Sequence, residues 1–429
     1  MLRSKPGLRI SLLGGLLLIP AASTSAESLE EAWDIAIENN HQIKAAQADT
    51  TATEQNLFSA QGQRLPELNI GTGYTQLNET PAARANFAGQ SAEFNTSQAG
   101  SVNAQAIASV PVFTSGRISH NIKAAEATFQ AAQHNEISSV LTIKMQVSAA
   151  FIAVLRLDGA VQVAQEHLSS LVEHHKDVKN LFDQDMVAKN DLLAANVEMA
   201  NARQLLLQAN NQLDIARAQY NQLLDRSLAE PVVVTPQFPQ IPVGSLNELS
   251  TNALSQRPEL LVLDKQIQAL EQQAQSVAAG SLPQVAVNGG YQYQENRYQS
   301  YEGLWMINVG MQWKLFDGST RHTRDAIFRQ AVSLKEQRDD LSSMIGLQVR
   351  KTWLAIQEAQ QRTEVTRLAI TEADENLKVT TNRYKNGLAT NTEVLRAEEL
   401  RARTYDNFNN SNYDTALSTL QLRYAMGVL

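Results

Sequence analysis

A run of 66 residues without proline, 117–182, constrains the fold of this chain more than any other feature. Small or apolar residues recur along it at steps of three and four, which is the period of one helix face. One helix of that length extends about 100 Å, far beyond the usual helix of a globular domain. Residues 319–385 repeat the pattern. Both runs predict long coiled-coil helices, with partner helices that run back at about 191–224 and 392–426.

The chain is an internal duplication. Leu65-Pro66 matches Leu282-Pro283 at a displacement of 217 residues, whereas matches in the long helices lie mostly at 202. The difference arises in the first half, where a polar insert at about 78–100 predicts a variable surface loop. The predicted divisions are a first repeat at 27–225 with a helical hairpin at about 117–224, a proline-rich connection at 226–244, and a second repeat at 245–429 with a helical hairpin at about 319–426.

The amino end has the composition of a secretory signal. Arg3, Lys5 and Arg9 precede an apolar run at 10–19, and small residues follow up to Ala26. We expect cleavage near Ala26, which makes 1–26 a signal peptide and places the mature chain outside the cytoplasm. The rest of the sequence contains no run of some twenty apolar residues, so it predicts no helical membrane span.

Composition and motifs exclude several classes of function. The formal net charge of −8 has the wrong sign for non-specific binding to nucleic acid, and the lack of cysteine excludes disulfides and thiolate metal sites. Neither a nucleotide-binding glycine loop nor a Gly-x-Ser-x-Gly nucleophile motif is present. His167 and His174 share a helix face with nearby acids, but without the usual metal-site spacing we interpret this run as a solvated face. We therefore expect that the protein is not an enzyme and that it binds no cofactor and no metal.

Four segments alternate between apolar and polar residues with the period of a β-strand. They lie at about 68–77, 101–113, 284–294 and 304–316. Any one of them could be a half-buried strand of a soluble sheet, but duplicated pairs on a secreted chain favour strands of a membrane barrel, with lipid outside and water inside. The aromatic residues predicted to face the membrane are Tyr74, Tyr291, Tyr293, Trp305 and Trp313.

Four strands cannot close a membrane barrel, because the smallest have eight and an open edge leaves backbone groups unsatisfied in lipid. The barrel must therefore be shared among copies of the chain. Two copies would give eight strands with a packed interior, and three would give twelve strands with room for a lumen.

Several sequence motifs together resemble those of the TolC family of outer-membrane efflux proteins, and the resemblance covers essentially the whole mature chain. These motifs are the leucine-proline pairs before two strands, the strand-to-helix segments Val110 to Arg117 and Leu315 to Gly318, the segment Arg257 to Leu260, and the helix-turn-helix segment Tyr384 to Leu395. The resemblance implies a homotrimer, mainly α with membrane β. Long antiparallel helical hairpins would form a periplasmic α-barrel, and four strands per protomer would complete a twelve-stranded barrel in the outer membrane. It also implies two partners, a periplasmic adaptor of the membrane-fusion type and an inner-membrane pump of the resistance-nodulation-division or ATP-binding-cassette type.

The hairpin turns, at 184–189 and 386–391, lie far from the strands and so form the periplasmic tip. By the resemblance, the adaptor would contact Asp185, Met186, Val187, Ala188, Gly387, Leu388 and Ala389. The gate residues would be Asn190, Asp191, Tyr384, Glu393 and Arg396; Arg396 stands where the family has a second acid, and Ala389 where it has an arginine. Alternatively, Asp191 and Glu393 only begin helices, where acids are favoured by about 0.3–1 kcal/mol.

The function expected from the sequence is a passive outer-membrane export duct that expels small molecules or secreted polypeptides. The polar strand faces, rich in Asn, Gln and Gly, favour a wet lumen. The alternative is a structural coiled-coil protein that is anchored in the outer membrane and does not conduct.

Overall fold

The computed structural model describes residues 26–429, and the predicted signal at 1–26 lies outside them except for its last residue. The elements in chain order are α1 (Leu29–Asn39), α2 (His41–Gly62), β1 (Glu67–Gln76), β2 (Ala82–Phe87), β3 (Gln90–Asn95), β4 (Gly100–Phe113), α3 (Arg117–Phe182), α4 (Lys189–Leu223), α5 (Leu246–Gln256), α6 (Pro258–Ala279), β5 (Gln284–Gln294), β6 (Gly303–Gln312), α7 (Thr320–Lys385) and α8 (Asn391–Ala425).

The two repeats have the same order of short helices, strands and long helices. Each repeat begins with a capping box. In it, a serine hydroxyl accepts a hydrogen bond from the backbone N–H of the glutamate three residues later, and the carboxylate of that glutamate accepts one from the backbone N–H of the serine. These boxes are Ser28 with Glu31 and Ser245 with Glu248. The short helices α1, α2, α5 and α6 were not individually predicted from the sequence.

Different partners cover the two halves of each 66-residue helix. The returning helices α4 and α8 have 35 residues, so each reaches back over only about half of α3 or α7. The 22-residue helices cover the rest, because α2 and α6 pack on α3 and α6 also packs on α7. Since α8 also packs on α3, the hairpins of the two repeats lie side by side.

The largest core cluster surrounds the middle of α3. Phe151 is fully buried there with Tyr220 of α4 and Val147, and Leu420 of α8 joins them. Trp33 of α1 packs on the same cluster and donates its indole N–H to Ser148 Oγ at 3.0 Å. This packing explains the apolar composition of α3, the helix of the described chain that is long and apolar enough to span a membrane.

Four antiparallel strands form one sheet in the order β1-β4-β5-β6. Its register pairs Ile70 with Ala106, Ala106 with Tyr291, and Tyr291 with Trp305. Directly paired residues lie on the same face of a sheet. The predicted apolar sides of all four strands therefore meet on one face, and the polar sides meet on the other.

The predicted strand at 304–316 is too long at its end. β6 stops at Gln312, which pairs with Gln284, the first residue of β5. Pro283 precedes Gln284 and has no N–H to donate, so residues after Gln312 have no continuing ladder partner on β5. Trp313 consequently lies just beyond the strand.

The polar insert at 78–100 is structured, which corrects the prediction of a loop. β2 and β3 pair into a separate hairpin there. Its two-residue turn is Ala88-Gly89, and both residues have positive φ, 48° and 89°. Such a turn joins strands tightly, but its usual sequence is Asn-Gly or Asp-Gly.

Candidate functional site

The two hairpin turns are held side by side by a small apolar cluster. Its buried members come one from each long helix: Val178 of α3, Ala195 of α4, Tyr384 of α7 and Val394 of α8. The turns therefore form a single end of the molecule. Residues from both sequence repeats contribute to that end.

Both long helices end in the same backbone motif. Asp185 (φ 56°) and Gly387 (φ 70°) adopt the left-handed conformation, and these positions are 202 residues apart, which is the displacement of the repeat. The next N–H returns to the helix in each case, from Met186 to Leu181 O at 2.9 Å and from Leu388 to Arg383 O at 2.8 Å. This arrangement satisfies carbonyls at a helix end and favours glycine at the left-handed position. The first turn has Asp185 at that position instead.

The starts of the returning helices differ. Thr390 begins α8 with a capping box, in which Glu393 Oε2 accepts from Thr390 N at 3.1 Å and Thr390 Oγ1 accepts from Glu393 N at 3.3 Å. Ala188 begins α4 without a side-chain cap. Glu393 thus begins a helix, as one of the two sequence interpretations has it.

The seven turn residues predicted to contact an adaptor divide into two groups. Met186 and Leu388 are 65% and 68% exposed, and Asp185, Ala188 and Gly387 are also exposed. Val187 and Ala389 are partly buried against the apolar cluster that holds the turns together. The first group is accessible for binding in the single chain, and the second supports the turns.

The predicted gate residues lie close to these turns but are not joined into one network. Asn190 Nδ2 is 3.5 Å from Asp191 Oδ1, and both residues lie at the start of α4. Glu393 and Arg396 are exposed, and within residues 26–429 no ion pair joins them. Tyr384 is buried, and its hydroxyl has no hydrogen-bond partner in the described chain. Burial raises the pKa of Tyr384, and the negative charge of Asp191 adds to the effect.

His174 belongs to this site, although the sequence analysis placed it on a solvated face. It is 5% exposed, and its Nε2 lies 2.7 Å from Asn391 Oδ1. The solvated-face prediction is wrong here because α8 packs over this part of α3. Leu171 and Val178 are buried three residues before and four residues after His174, so the helical period already places it on the packed seam. His167 is partly buried, and no group of three or more His, Asp or Glu that could hold a metal occurs among the residues described.

At the opposite end of the fold, four of the five predicted membrane-facing aromatics, Tyr74, Tyr291, Tyr293 and Trp305, share the apolar face of the sheet, whereas Trp313 lies just beyond β6. Tyr291 lies opposite Trp305, with ring centroids 5.3 Å apart. Tyr74 pairs with Val102 and Tyr293 with Ala104 on the same face. Trp305 is largely exposed in the single chain, which leaves this face available to lipid.

A family model decides the relationship of this chain to known proteins. The model of the outer membrane efflux protein family matches residues 33–225 and 249–428, which cover both repeats. The chain belongs to this family. The family is one of efflux channels that lie in the outer membrane and extend into the periplasm, and its members work with periplasmic adaptors and inner-membrane pumps.

Individual relatives are similar over almost their whole length. The outer membrane protein TolC of Vibrio cholerae serotype O1 is 23% identical over 418 residues, covering 94% of this chain and 91% of TolC. The structure of VceC from Vibrio cholerae superposes with a TM-score of 0.78 at 17% identity, over 93% of this chain and 96% of VceC. The CmeC channel of Campylobacter jejuni gives a TM-score of 0.78 at 14% identity, over 100% of this chain and 94% of CmeC. These structures share the fold, which confirms the mainly helical architecture with four strands in one sheet.

Proposed function

We propose that three copies of this chain assemble into one passive export duct across the outer membrane and periplasm. The observation that carries the proposal is the register of the sheet. It gathers the apolar side chains of four strands on one face and the amides of residues such as Asn103, Gln105 and Gln292 on the other. A sheet with these two faces is suited to separate lipid from water.

The edges of this sheet support a barrel that is shared among copies of the chain. β1 and β6 are its edge strands, and their backbone groups need partners in lipid. Neighbouring copies can supply these partners if β6 of one pairs with β1 of the next. Three copies give twelve strands and a lumen, whereas the interior of an eight-stranded barrel is filled by side chains. The polar face favours the wet, twelve-stranded arrangement.

The end formed by the turns is the proposed entrance. We propose that the exposed residues of both turns, Met186 and Leu388 above all, contact a periplasmic adaptor. Asn190, Asp191, Tyr384, Glu393 and Arg396 would then surround the opening, because they lie within the first two turns of a returning helix or in the last turn of α7. The aromatic residues of the apolar sheet face would lie against outer-membrane lipid.

Energy and selection of cargo would come from the pump. A duct of this kind passes small molecules or secreted polypeptides that an inner-membrane pump delivers. The pump would be of the resistance-nodulation-division or the ATP-binding-cassette type.

Retention of a fluorescent efflux dye tests the proposal. Cells of the native host that lack this chain should retain more dye than the parent, and restoring the chain should reverse the change. A Met186→Asp, Leu388→Asp double variant should fail to reverse it, because charge at the turns prevents apolar docking. The matched control, Met186→Leu with Leu388→Met, keeps the apolar contact and should restore efflux.

Conductance of the purified chain in a planar bilayer separates a duct from a non-conducting anchor. A duct should show discrete channel openings, and the docking variant should conduct like the parent because its strands are unchanged. If the purified chain inserts into the bilayer but never conducts, the proposed duct function is contradicted, whatever the result of the dye-retention assay.

A further inference from the structure

A cleft between α3 and α8 lies away from the hairpin turns. Its volume of about 390 Å³ is in the range of small-molecule pockets. Its wall on α8 runs from Glu398 to Asn412, which are the eighth and twenty-second residues of that helix. At 1.5 Å per residue, the cleft therefore begins about 10 Å from the start of α8 and extends to about 30 Å from it.

The two helices are joined at both ends of this cleft. At one end, a Cβ atom added to Gly159 of α3 would collide with Asn409 Oδ1 of α8, and Asn409 Nδ2 donates to Arg156 O at 2.9 Å. At the other end, Ser170 Oγ of α3 donates to Glu398 Oε1 of α8 at 2.5 Å. The space between these contacts is therefore held open by the packing of the helices.

The carboxylate of Glu398 has only one of its oxygens satisfied. The residue is 3% exposed and lines the cleft, and its Oε2 is buried with no hydrogen-bond partner among residues 26–429. A buried carboxylate oxygen without a donor is costly, so a donor on a ligand would stabilise it. The terminal torsion of glutamate is soft, and a small rotation can turn this oxygen toward a ligand in the cleft.

A second acceptor without a partner lines the same cleft. His167 is partly buried, and its Nδ1 has no hydrogen-bond partner within the described part of the chain. Burial lowers the pKa of His167, so the ring is neutral at pH 7. A neutral imidazole that carries its proton on Nε2 accepts at Nδ1. An ammonium group, with three N–H donors, can satisfy both acceptors.

The charges around the cleft also favour a cation. Its lining residues include two acids, Glu166 and Glu398, and one base, Arg401. The base is already paired, because Arg401 Nε donates to Asp374 Oδ1 of α7 at 2.6 Å and the guanidinium lies 5.0 Å from the ring centroid of Tyr405. The Tyr405 hydroxyl donates to the other oxygen of Asp374 at 2.8 Å. With Asp374 included, three acids stand against one base, which disfavours an anionic ligand.

We propose that this cleft binds a small organic cation, in which a primary ammonium group is attached to a short aromatic body. The ammonium binds Glu398 and His167, and the aromatic body packs beside Phe408 of α8, which also lines the cleft. The inference goes beyond the export duct, because such a molecule can bind this wall whether or not the chain conducts.

Three ligands of similar size and different charge test the proposal. Phenethylammonium, 2-phenylethanol and phenylacetate are titrated by calorimetry at pH 7 into the purified full-length protein in one detergent. We expect phenethylammonium to bind with a Kd of about 1 mM, which is reasonable for so small a molecule. The neutral alcohol should bind about 10-fold more weakly, and phenylacetate should not bind measurably.

Replacing Glu398 separates the charge from the shape of the cleft. Glu398→Gln is nearly isosteric and should weaken phenethylammonium binding at least about 10-fold, while it changes binding of the alcohol less than about threefold. Glu399→Gln is the matched control, because Glu399 is an exposed neighbour outside the cleft lining and its loss should leave binding unchanged. Thermal unfolding of both variants in the same detergent shows whether lost binding reflects lost folding.

Three results would overturn the inference. The first is failure of the parent to bind phenethylammonium at up to about 10 mM, and the second is tighter binding of phenylacetate, which would make Arg401 the binding group. The third is an equal loss of binding in Glu398→Gln and Glu399→Gln, which would show only a general attraction of cations to an acidic protein. Channel openings in a planar bilayer test the export duct alone, so the two proposals can fail separately.

Discussion

A lysine placed on either face of β6 tests which face meets lipid. Ile307 is 85% exposed in the single chain and lies on the apolar face, opposite Gly289 of β5. Asn308 is its neighbour and points to the polar face, opposite Asn288. Ile307→Lys and Asn308→Lys therefore add the same charge at almost the same height but on opposite sides of the sheet.

The position of Ile307 sets the magnitude. It is the fifth residue of a ten-residue strand, Gly303–Gln312. At about 3.3 Å per residue and a tilt of about 45°, ten residues rise about 23 Å, close to the apolar band of about 25 Å. Ile307 would thus lie near the middle of the membrane, where lysine costs about 2–4 kcal/mol. Asn308→Lys would face water and cost well under about 1 kcal/mol.

Folding into lipid vesicles provides the assay. The free energy of unfolding is measured by denaturant titration for the parent and both variants, and each value is divided by the number of chains in the assembly. We expect Ile307→Lys to lose about 2–4 kcal/mol per chain and Asn308→Lys to resemble the parent. Equal losses, or a larger loss in Asn308→Lys, would refute the assignment of the apolar face to lipid.

Three further predictions concern the stability of the helical region. Asp185→Gly should stabilise the first turn by about 0.5–1 kcal/mol, because glycine adopts positive φ without strain. For the same reason Gly387→Asp should destabilise the second turn. Thermal unfolding of both variants measures these changes. Burial raises the pKa of Glu398 in the folded chain above its ordinary 4.5, so the folded state binds this proton more tightly than the unfolded state does. The contribution of Glu398 to folding stability is therefore greatest below pH 4.5 and falls as pH rises from there through the raised pKa. Glu398→Gln should remove this loss, giving higher stability at pH 7 and a flatter profile in urea titrations from pH 4 to 8. Phe151→Ala should cost about 3–5 kcal/mol by denaturant titration, while Phe58→Ala, on the exposed side of α2, should cost well under about 1 kcal/mol.

The long helices and the faces of the sheet could be predicted because both depend on regular periods. A side chain every three or four residues defines the seam of α3, and alternation by two defines the faces of β6. The turn at 386–391 could also be predicted, and Gly387 within it suits the left-handed conformation that ends a helix.

Features that do not follow a regular period were harder to predict. The hairpin β2–β3 was missed because its turn uses Ala88 where Asn or Asp is usual. His174 was misassigned because polar character outweighed its position between Leu171 and Val178. The structural role of Glu393 was partly readable, since Thr390 three residues earlier completes the sequence of a capping box.

The two turns differ in mechanical compliance, although they derive from one duplicated unit. The first has a non-glycine residue with positive φ at Asp185 and begins its returning helix without a side-chain cap; the second has Gly387 and the capping box of Thr390. A pulling or twisting load shared by both hairpins should therefore open the first turn sooner. Duplication of one hairpin has in this way produced a softer first turn and a stiffer second turn. A partner that pushes equally on both turns would therefore deform them unequally.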